Sequence, residues 1–473
     1  MERRWLIRPN TYHDSIKLMR LSQTLSRQPG VDRAAAVMAT ELNLRLLHDD
    51  GLLPSGVTCG PEDMVVAVAA TDGPSAQAIL DRIDNMLTPA DSDQGPAEMH
   101  IASIEQAAGQ DKEADLAVVA VPGPYAAAEA YAALRLGLNV FLFSDNVSLA
   151  DEIGLKRMAA RRDLLMMGPD CGTAILDGVG LGFANRVRRG PVGIAGASGT
   201  GIQQLVSLLD LAGLGTAQAI GTGGRDLSAQ VGASMTMRAF HRLEDDPAVE
   251  VIAVVSKPAS ESVARELHRA MSRSSKPVVA CLPPAAFGDE GNIRYAPDLT
   301  GAATLILDCG GLSPANWIRL EAPGSHLSQT DGKRAVSGLF AGGTLCSEAA
   351  AVLNAAGVAN GLVDLGSDDF TRGRAHPMID PRLRASLLAA DTSPVIMLDI
   401  VLGDLSHPDP AGALLPSLSR LESSQVFATL VGTAGDPQGL DDQCQKLHSA
   451  GVNVFSSNAE AARATAKAWK GLA

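Results

Sequence analysis

The stretch VGIAGASGTGIQQLVSLL (192–209) holds a strand, a glycine-rich turn and a helix within eighteen residues. Val192 to Ala195 reads as an apolar strand. Ile202, Leu205, Val206, Leu208 and Leu209 form a stripe at helical spacing, which predicts a helix beginning near Thr200. The turn from Gly196 to Gly201 therefore stands at a helix N-terminus. There the first backbone N–H groups have no partner inside the helix and lie at the positive end of its dipole, so an anion is favoured, and glycine lets the backbone approach it closely. Ser198, Gly199, Thr200 and Gly201 are the candidate phosphate-binding residues, the two hydroxyls serving as extra donors. The turn lacks the Gly-Lys-Ser/Thr of a nucleotide P-loop and the Gly-x-Gly-x-x-Gly spacing of a dinucleotide fold. Alone, it reads equally well as a tight connection with a helix cap.

A repeat sharpens this reading. Ser198-Gly199-Thr200 followed by Leu208-Leu209-Asp210-Leu211-Ala212-Gly213 aligns without a gap on Gly342-Gly343-Thr344 followed by Val352-Leu353-Asn354-Ala355-Ala356-Gly357, at an offset of 144 residues. The same offset pairs Val251-Ile252 with Val395-Ile396. Residues 190–310 and 335–473 thus read as two copies of one doubly wound unit. The second turn, in LFAGGTLCSEAAAVL (339–353), offers Gly342, Gly343 and Thr344 in the corresponding place. Two such turns packed about a pseudo-twofold would aim two helix N-termini at one phosphoryl or carboxyl group.

Across the 473 residues, short aliphatic runs such as VVAVAA (65–70), NVFLF (139–143), PVVACL (277–282) and VFATLVG (426–432) alternate with Ala-rich amphipathic stretches, the rhythm of parallel α/β sheets. At roughly 150 residues per domain the length implies about three domains. PADSDQG (89–95) reads as an exposed loop and PGSHLSQTDGKR (323–334) as a linker. A net charge of -14 argues against a nucleic-acid surface. Six cysteines with no Cys-x-x-Cys pair point to reduced thiols and no metal site. The N-terminus MERRWLIRPNTYHDS lacks the apolar region of a signal peptide, and no apolar run approaches the about 18 residues that span a bilayer. The expectation is a cytoplasmic protein with no membrane contact.

The runs 115–176, VGIAGASGTGIQQ (192–204), AIGTGGRDLSAQVG (219–232) and VSKPA (255–259) resemble the α subunit of succinyl-CoA synthetase. FAGGTLCSEAA (340–350) and GVNVFSSNAEAA (451–462) look like the C-terminal domain of its β subunit. With SDNVSLADEI, MGPDCGT, GASGTGIQ, GGRDLS, AGGTL and RAHPMIDP, the chain resembles most closely the FdrA family, along nearly its whole length. The resemblance implies an α/β fold: a Rossmann-like, CoA-binding-type domain (1–187), then two flavodoxin-like succinyl-CoA-synthetase-type lobes (188–320 and 335–473). It also implies one of two activities. One is a subunit of a heteromeric carbamoyltransferase, in which carbamoyl phosphate and oxamate, or a related amide or amine, exchange with the carbamoylated product and phosphate in allantoin and purine nitrogen catabolism. The other is an acyl-CoA synthetase subunit of the succinate–CoA ligase kind. A non-catalytic scaffold subunit is the third reading.

Departures from the family pattern separate these readings. Succinyl-CoA synthetase relays phosphate through a histidine on the loop after the strand matching KPVVACL (276–282), but here that loop reads PPAAFGDEGNIRYAPDL, without histidine. The chain has no room for a nucleotide-binding ATP-grasp portion, so a ligase would need partner subunits. The strand Trp5 to Ile7 leads into RPNTYHDSIKLM with no glycine, which weakens CoA binding, although Pro122, Asn146 and Pro169 keep the later pattern. No cofactor is required by what remains: a phosphate cradle for carbamoyl phosphate or a similar acyl phosphate.

Further candidates lie at strand ends. Arg225 and Asp226 follow three glycines in GTGGRDLS (221–228), where an arginine grips phosphate or carboxylate and polarises a carbonyl, or else pairs with its neighbour at the surface. Asn146 in SDNV and Asp170 in GPDCG line a pocket or cap helices. In LGSDDFTRGRAHPMID (365–380), His376 is the candidate acid–base or carbonyl-polarising group amid Asp368, Asp369, Arg372, Arg374 and Asp380. That spacing matches no metal loop.

Overall fold

A computed structural model of the chain describes residues 2–13, 15–54, 56–57, 59–87, 103–257, 259–282, 287–314, 317–322, 335–371, 374–421 and 424–472. The expected loop at 89–95 and linker at 323–334 lie outside the described residues, as does Arg372. The chain divides into two compact units: Met1–Glu113 with Ala120–Ala126 and Arg372–Ala375, and the remainder.

In the first unit, β1 (Glu2–Arg8), β2 (Val31–Met38) and β3 (Met64–Ala70) form a sheet in the order β1-β3-β2, with both edge strands antiparallel to β3. Every residue of β3 is buried. Leu18, Leu21, Leu25, Ala76 and Ile79 pack beside Val66 and Val68 on one face, while Leu47, Leu52 and Leu53 pack beside Val65 and Ala67 on the other. This corrects the expectation of a Rossmann-like sheet beginning at Trp5–Ile7. A continuous apolar run reports burial on two faces and is silent about strand direction.

The second unit opens with a small parallel sheet, β4 (Leu116–Val119), β5 (Asn139–Leu142) and β6 (Met166–Met167). Next comes the hairpin β7 (Thr173–Leu176) and β8 (Val179–Gly182), whose turn Asp177-Gly178 has positive φ at both residues, the backbone that matches hairpin twist. This hairpin does not close an N-terminal domain at 187. Through β7 it extends the sheet of the first lobe, joining β10 antiparallel.

The first lobe holds β9 (Val192–Ala197), β10 (Thr216–Gly221), β11 (Val251–Ser256), β12 (Val278–Cys281) and β13 (Ile293–Tyr295), paired in parallel in the order β13-β12-β11-β9-β10. After the short β14 (Arg319–Leu320), the second lobe holds β15 (Val336–Phe340), β16 (Asn360–Asp364), β17 (Val395–Val401), β18 (Gln425–Val431) and β19 (Asn453–Phe455). Its parallel order, β19-β18-β17-β15-β16, repeats that of the first lobe strand for strand. The mixed α/β architecture with parallel sheets is as the sequence implied. No helix among the described residues is long and apolar enough to cross a membrane.

The lobes meet through equivalent helices. The Gly199–Leu211 helix packs on the Gly343–Ala355 helix, each flanked by its own lobe's later helix, Leu299–Cys309 and Asn458–Leu472. Gln204 and Glu348, one offset apart, both reach across this seam: Gln204 donates to the Ser456 carbonyl at 2.7 Å, and Glu348 accepts from the Leu299 amide at 2.7 Å.

Candidate functional site

The two glycine-rich turns come face to face. Ser198, in extended backbone, caps the Gly199–Leu211 helix by accepting from the Gly201 amide at 2.9 Å, and its Oγ lies 2.6 Å from Oγ1 of Thr344. The same arrangement recurs with the lobes exchanged. Thr200 packs on Gly342, where a Cβ would lie 2.8–2.9 Å from its Cγ2, Cβ and Oγ1. Since Gly342 stands where the first lobe has Ser198, and Thr344 where it has Thr200, the two contacts are mates across a pseudo-twofold. Ser198 and Thr344 are buried, while Gly199, Thr200 and Gly343 are partly exposed.

The turns differ in what their amides already hold. Asp399, in the wholly buried β17, accepts from the backbone amides of Ala341 and Gly342 at 2.8 and 2.7 Å and pairs with the buried Arg384 at 3.1 Å. Burial pushes its carboxyl up, while Arg384 and the two amides pull it down. The corresponding position of the first lobe is the buried Val255. Gly342 therefore cannot offer its N–H to a ligand as expected, because an internal carboxylate occupies it. Gly343 and Thr344 remain.

A lysine stands beside Gly343. A Cβ there would collide with the Asp364 carboxylate and lie 2.9 Å from Nζ of Lys257, which extends from the chain just past β11. Lys257 makes no hydrogen bond or ion pair among the described residues, yet its charge is felt by Asp170, Asp364 and Cys346. Burial pushes the Asp170 carboxyl up to about 7, opposed by Lys257 and Arg225 and assisted by Asp145 and Asp368. Asp170 is thus open to solvent on one side yet ringed by protein, a carboxyl poised to exchange protons near neutrality. Burial likewise raises Asp364 and drives the Cys346 thiol to about 12.

His376 adjoins this group. Its Nε2 would lie 2.7 Å from a Cβ on Gly366, and Oδ1 of Asp364 would lie 3.3 Å from the same point. Nδ1 accepts from the Met378 amide at 3.2 Å, which leaves the proton on Nε2, and the ring lies 5.3 Å from that of Phe183. Burial lowers the imidazole to about 4, so it is a neutral donor at physiological pH.

Other expected residues fall elsewhere. Asp226 is not in a pocket: it is fully buried, accepting from Lys156 Nζ at 2.8 Å and from the Thr236 amide and hydroxyl at 2.8 and 2.7 Å. Lys156 is saturated by Asp226, Glu152 and the Thr222 carbonyl. Arg225 is half-exposed but tied by Nε to Glu152 at 2.8 Å and by Nη2 to the Val147 carbonyl at 2.8 Å, so it acts on the site through its field on Asp170. Asn146 and Asp170 have positive φ, and neither caps a helix; Ser148 caps the Leu149–Arg161 helix, while Asn146 hydrogen-bonds Asp145. Lys257 escaped sequence reasoning because a lysine after a buried strand looks like ordinary surface. Asp399 left a readable signal, a carboxylate inside the apolar run VIMLDIV.

Comparison with known proteins agrees with this architecture. Residues 187–283 match the family described as CoA binding domain and residues 339–468 the one described as CoA-ligase, so the two matches bracket the facing turns. The CoA-binding match falls on the first lobe, whereas the resemblance assigned that domain to 1–187. Residues 1–102 instead match the family described as AllF, heavy metal-associated domain. This stretch has one cysteine, Cys59, and no three His, Cys, Asp or Glu side chains gather among the described residues. The succinate–CoA ligase (ADP-forming) subunit alpha-2 of Trichomonas vaginalis is 24% identical over 46% of this chain and 71% of its own. The solved dinucleotide-forming acetyl-coenzyme A synthetase 1 of Ca. Korarchaeum cryptofilum is similar at 13% identity, over 76% of this chain and 83% of that one, with a TM-score of 0.31. The Escherichia coli (strain K12) protein named Uncharacterized protein YahF is 38% identical over 96% of both chains. On that end-to-end match and the three domain matches, the chain belongs to the FdrA/AllF-like, succinyl-CoA synthetase-related family of CoA-ligase-type proteins.

Proposed function

We propose that this chain is the acyl-phosphate-binding subunit of a CoA-ligase-type enzyme, and that the acyl phosphate it takes is carbamoyl phosphate. The observation that carries the reading is the pairing of the two turns through Ser198 and Thr344 with Lys257 beside Gly343. Oriented donors at such a place stabilise a phosphoryl leaving group without reorganisation.

In the carbamoyl reading, the amide nitrogen of oxamate or a related acceptor attacks the carbamoyl carbon. The C–N bond forms and the C–O bond to phosphate breaks. The nitrogen's proton passes to Asp170 and phosphate leaves as the anion. His376 donates Nε2–H to the carbonyl oxygen. The match of 1–102 to the AllF family and the segment 283–299, which has no histidine to carry a phosphoryl relay, favour this reading.

A second reading, an acyl-CoA synthetase subunit, is favoured by the CoA binding and CoA-ligase matches. It requires CoA on this chain and a partner that supplies the nucleotide site. Reconstitution separates the two: the purified chain, alone and with candidate partner subunits, is given carbamoyl phosphate with oxamate, or succinate with CoA and ATP. Phosphate and carbamoylated product in the first mixture are expected. Thioester in the second with none in the first selects the ligase, and inactivity in every mixture overturns both.

A further inference from the structure

Resting on the acyl-phosphate reading, we propose that Lys257 is the residue that binds the phosphoryl oxygens of the ligand, beside Gly343 at the start of the second lobe's helix. Three observations converge. The ammonium has no hydrogen-bond or ion-pair partner among the described residues, although Lys156, Lys276, Lys446 and Arg463 elsewhere in this unit show how readily cations here find carboxylates or carbonyls. A cation kept without a protein partner retains its full capacity for an incoming oxyanion.

The lysine also sits where three strand ends converge. Asp170 follows β6, Asp364 closes β16 and Lys257 follows β11, and the charge of Lys257 is felt by both carboxyls. C-terminal strand ends are where open α/β sheets place ligands. Finally, a Cβ on Gly343 would collide with the Asp364 carboxylate and stand 2.9 Å from Nζ, so glycine here is what lets the carboxylate and the ammonium both approach the start of the helix.

The test uses the full chain and two probes, inorganic phosphate and oxamate, titrated by calorimetry into the wild type, Lys257→Gln and Lys257→Arg, with circular dichroism and unfolding to confirm folding. The expected result is at least a tenfold weaker phosphate affinity for Lys257→Gln and a smaller loss for Lys257→Arg, both at unchanged stability. In the reconstituted reaction, added ethylammonium restores part of the activity of Lys257→Ala, which a merely structural lysine would not permit. Unchanged phosphate affinity in Lys257→Gln while the wild type binds overturns the assignment and leaves the acyl-phosphate reading standing. A loss confined to oxamate overturns the phosphoryl assignment. No phosphate binding by the wild type overturns both.

Discussion

The hydroxyls of Ser198 and Thr344 meet at 2.6 Å across 146 residues of chain, and the Thr200–Gly342 contact is the same meeting with the lobes exchanged. Ser198 does two things at once, capping its own helix and bonding to the other lobe. Ser198→Ala therefore costs more than Thr344→Val: about 1–2 kcal/mol for a lost cap and cross-lobe bond, against about 0.5–1.5 kcal/mol for the bond alone. Urea unfolding of the two variants measures the difference, and equal losses would mean that the cap contributes nothing.

Gly342→Ala forces a methyl against three atoms of Thr200. Overpacking of this kind costs about 1–3 kcal/mol. Adding Thr200→Gly opens the space again, so the double variant should be more stable than the sum of single effects by at least about 0.5 kcal/mol. Additive losses would show that the two residues do not touch.

Asp226→Asn leaves Lys156 as a buried cation with one carboxylate fewer, and loss of one partner from a buried pair costs about 3–5 kcal/mol. Thermal unfolding reads the loss directly. A variant of wild-type stability that had lost only ligand binding would return Asp226 to the pocket.

Two buried groups give the protein opposite pH responses. Burial raises Glu348 to about 7, so the folded chain holds a proton that the unfolded chain releases from about 4.5 upward, and stability falls as pH rises through that window. His376, lowered to about 4, disfavours its proton in the folded state, so stability falls as pH drops from about 6.5 to 4. Glu348→Gln, which keeps an acceptor for the Leu299 amide, should stabilise the chain at pH 8 by on the order of 1 kcal/mol and flatten the upper slope. Nitrogen chemical shifts should show His376 protonated on Nε2 and unchanged from pH 8 to 6. A midpoint near 6.5 would contradict its burial.

Much of this organisation is legible in the amino acids. The strand–turn–helix of 192–209 and its echo at an offset of 144 forecast two lobes, and the strands pair in one order in both. What stayed hidden depends on partners distant in sequence. VVAVAA shows a strand buried on two faces, but its direction is set by β1 and β2 on either side. GGRDLS shows an acid, but nothing local announces that Lys156, 70 residues earlier, will claim it. For the site itself, Ser198, Thr200, Gly343 and Thr344 were readable as helix-start chemistry. Lys257 becomes visible only when β11, β16 and the second turn are brought together.

Asp399 fills the amides of Ala341 and Gly342, while the other lobe has Val255 in its place. Ancestral halves that fold alike thus stop being interchangeable at their meeting point. The two sides of the seam are chemically unlike: an internal carboxylate and a glycine on one, an apolar valine and the capping Ser198 on the other.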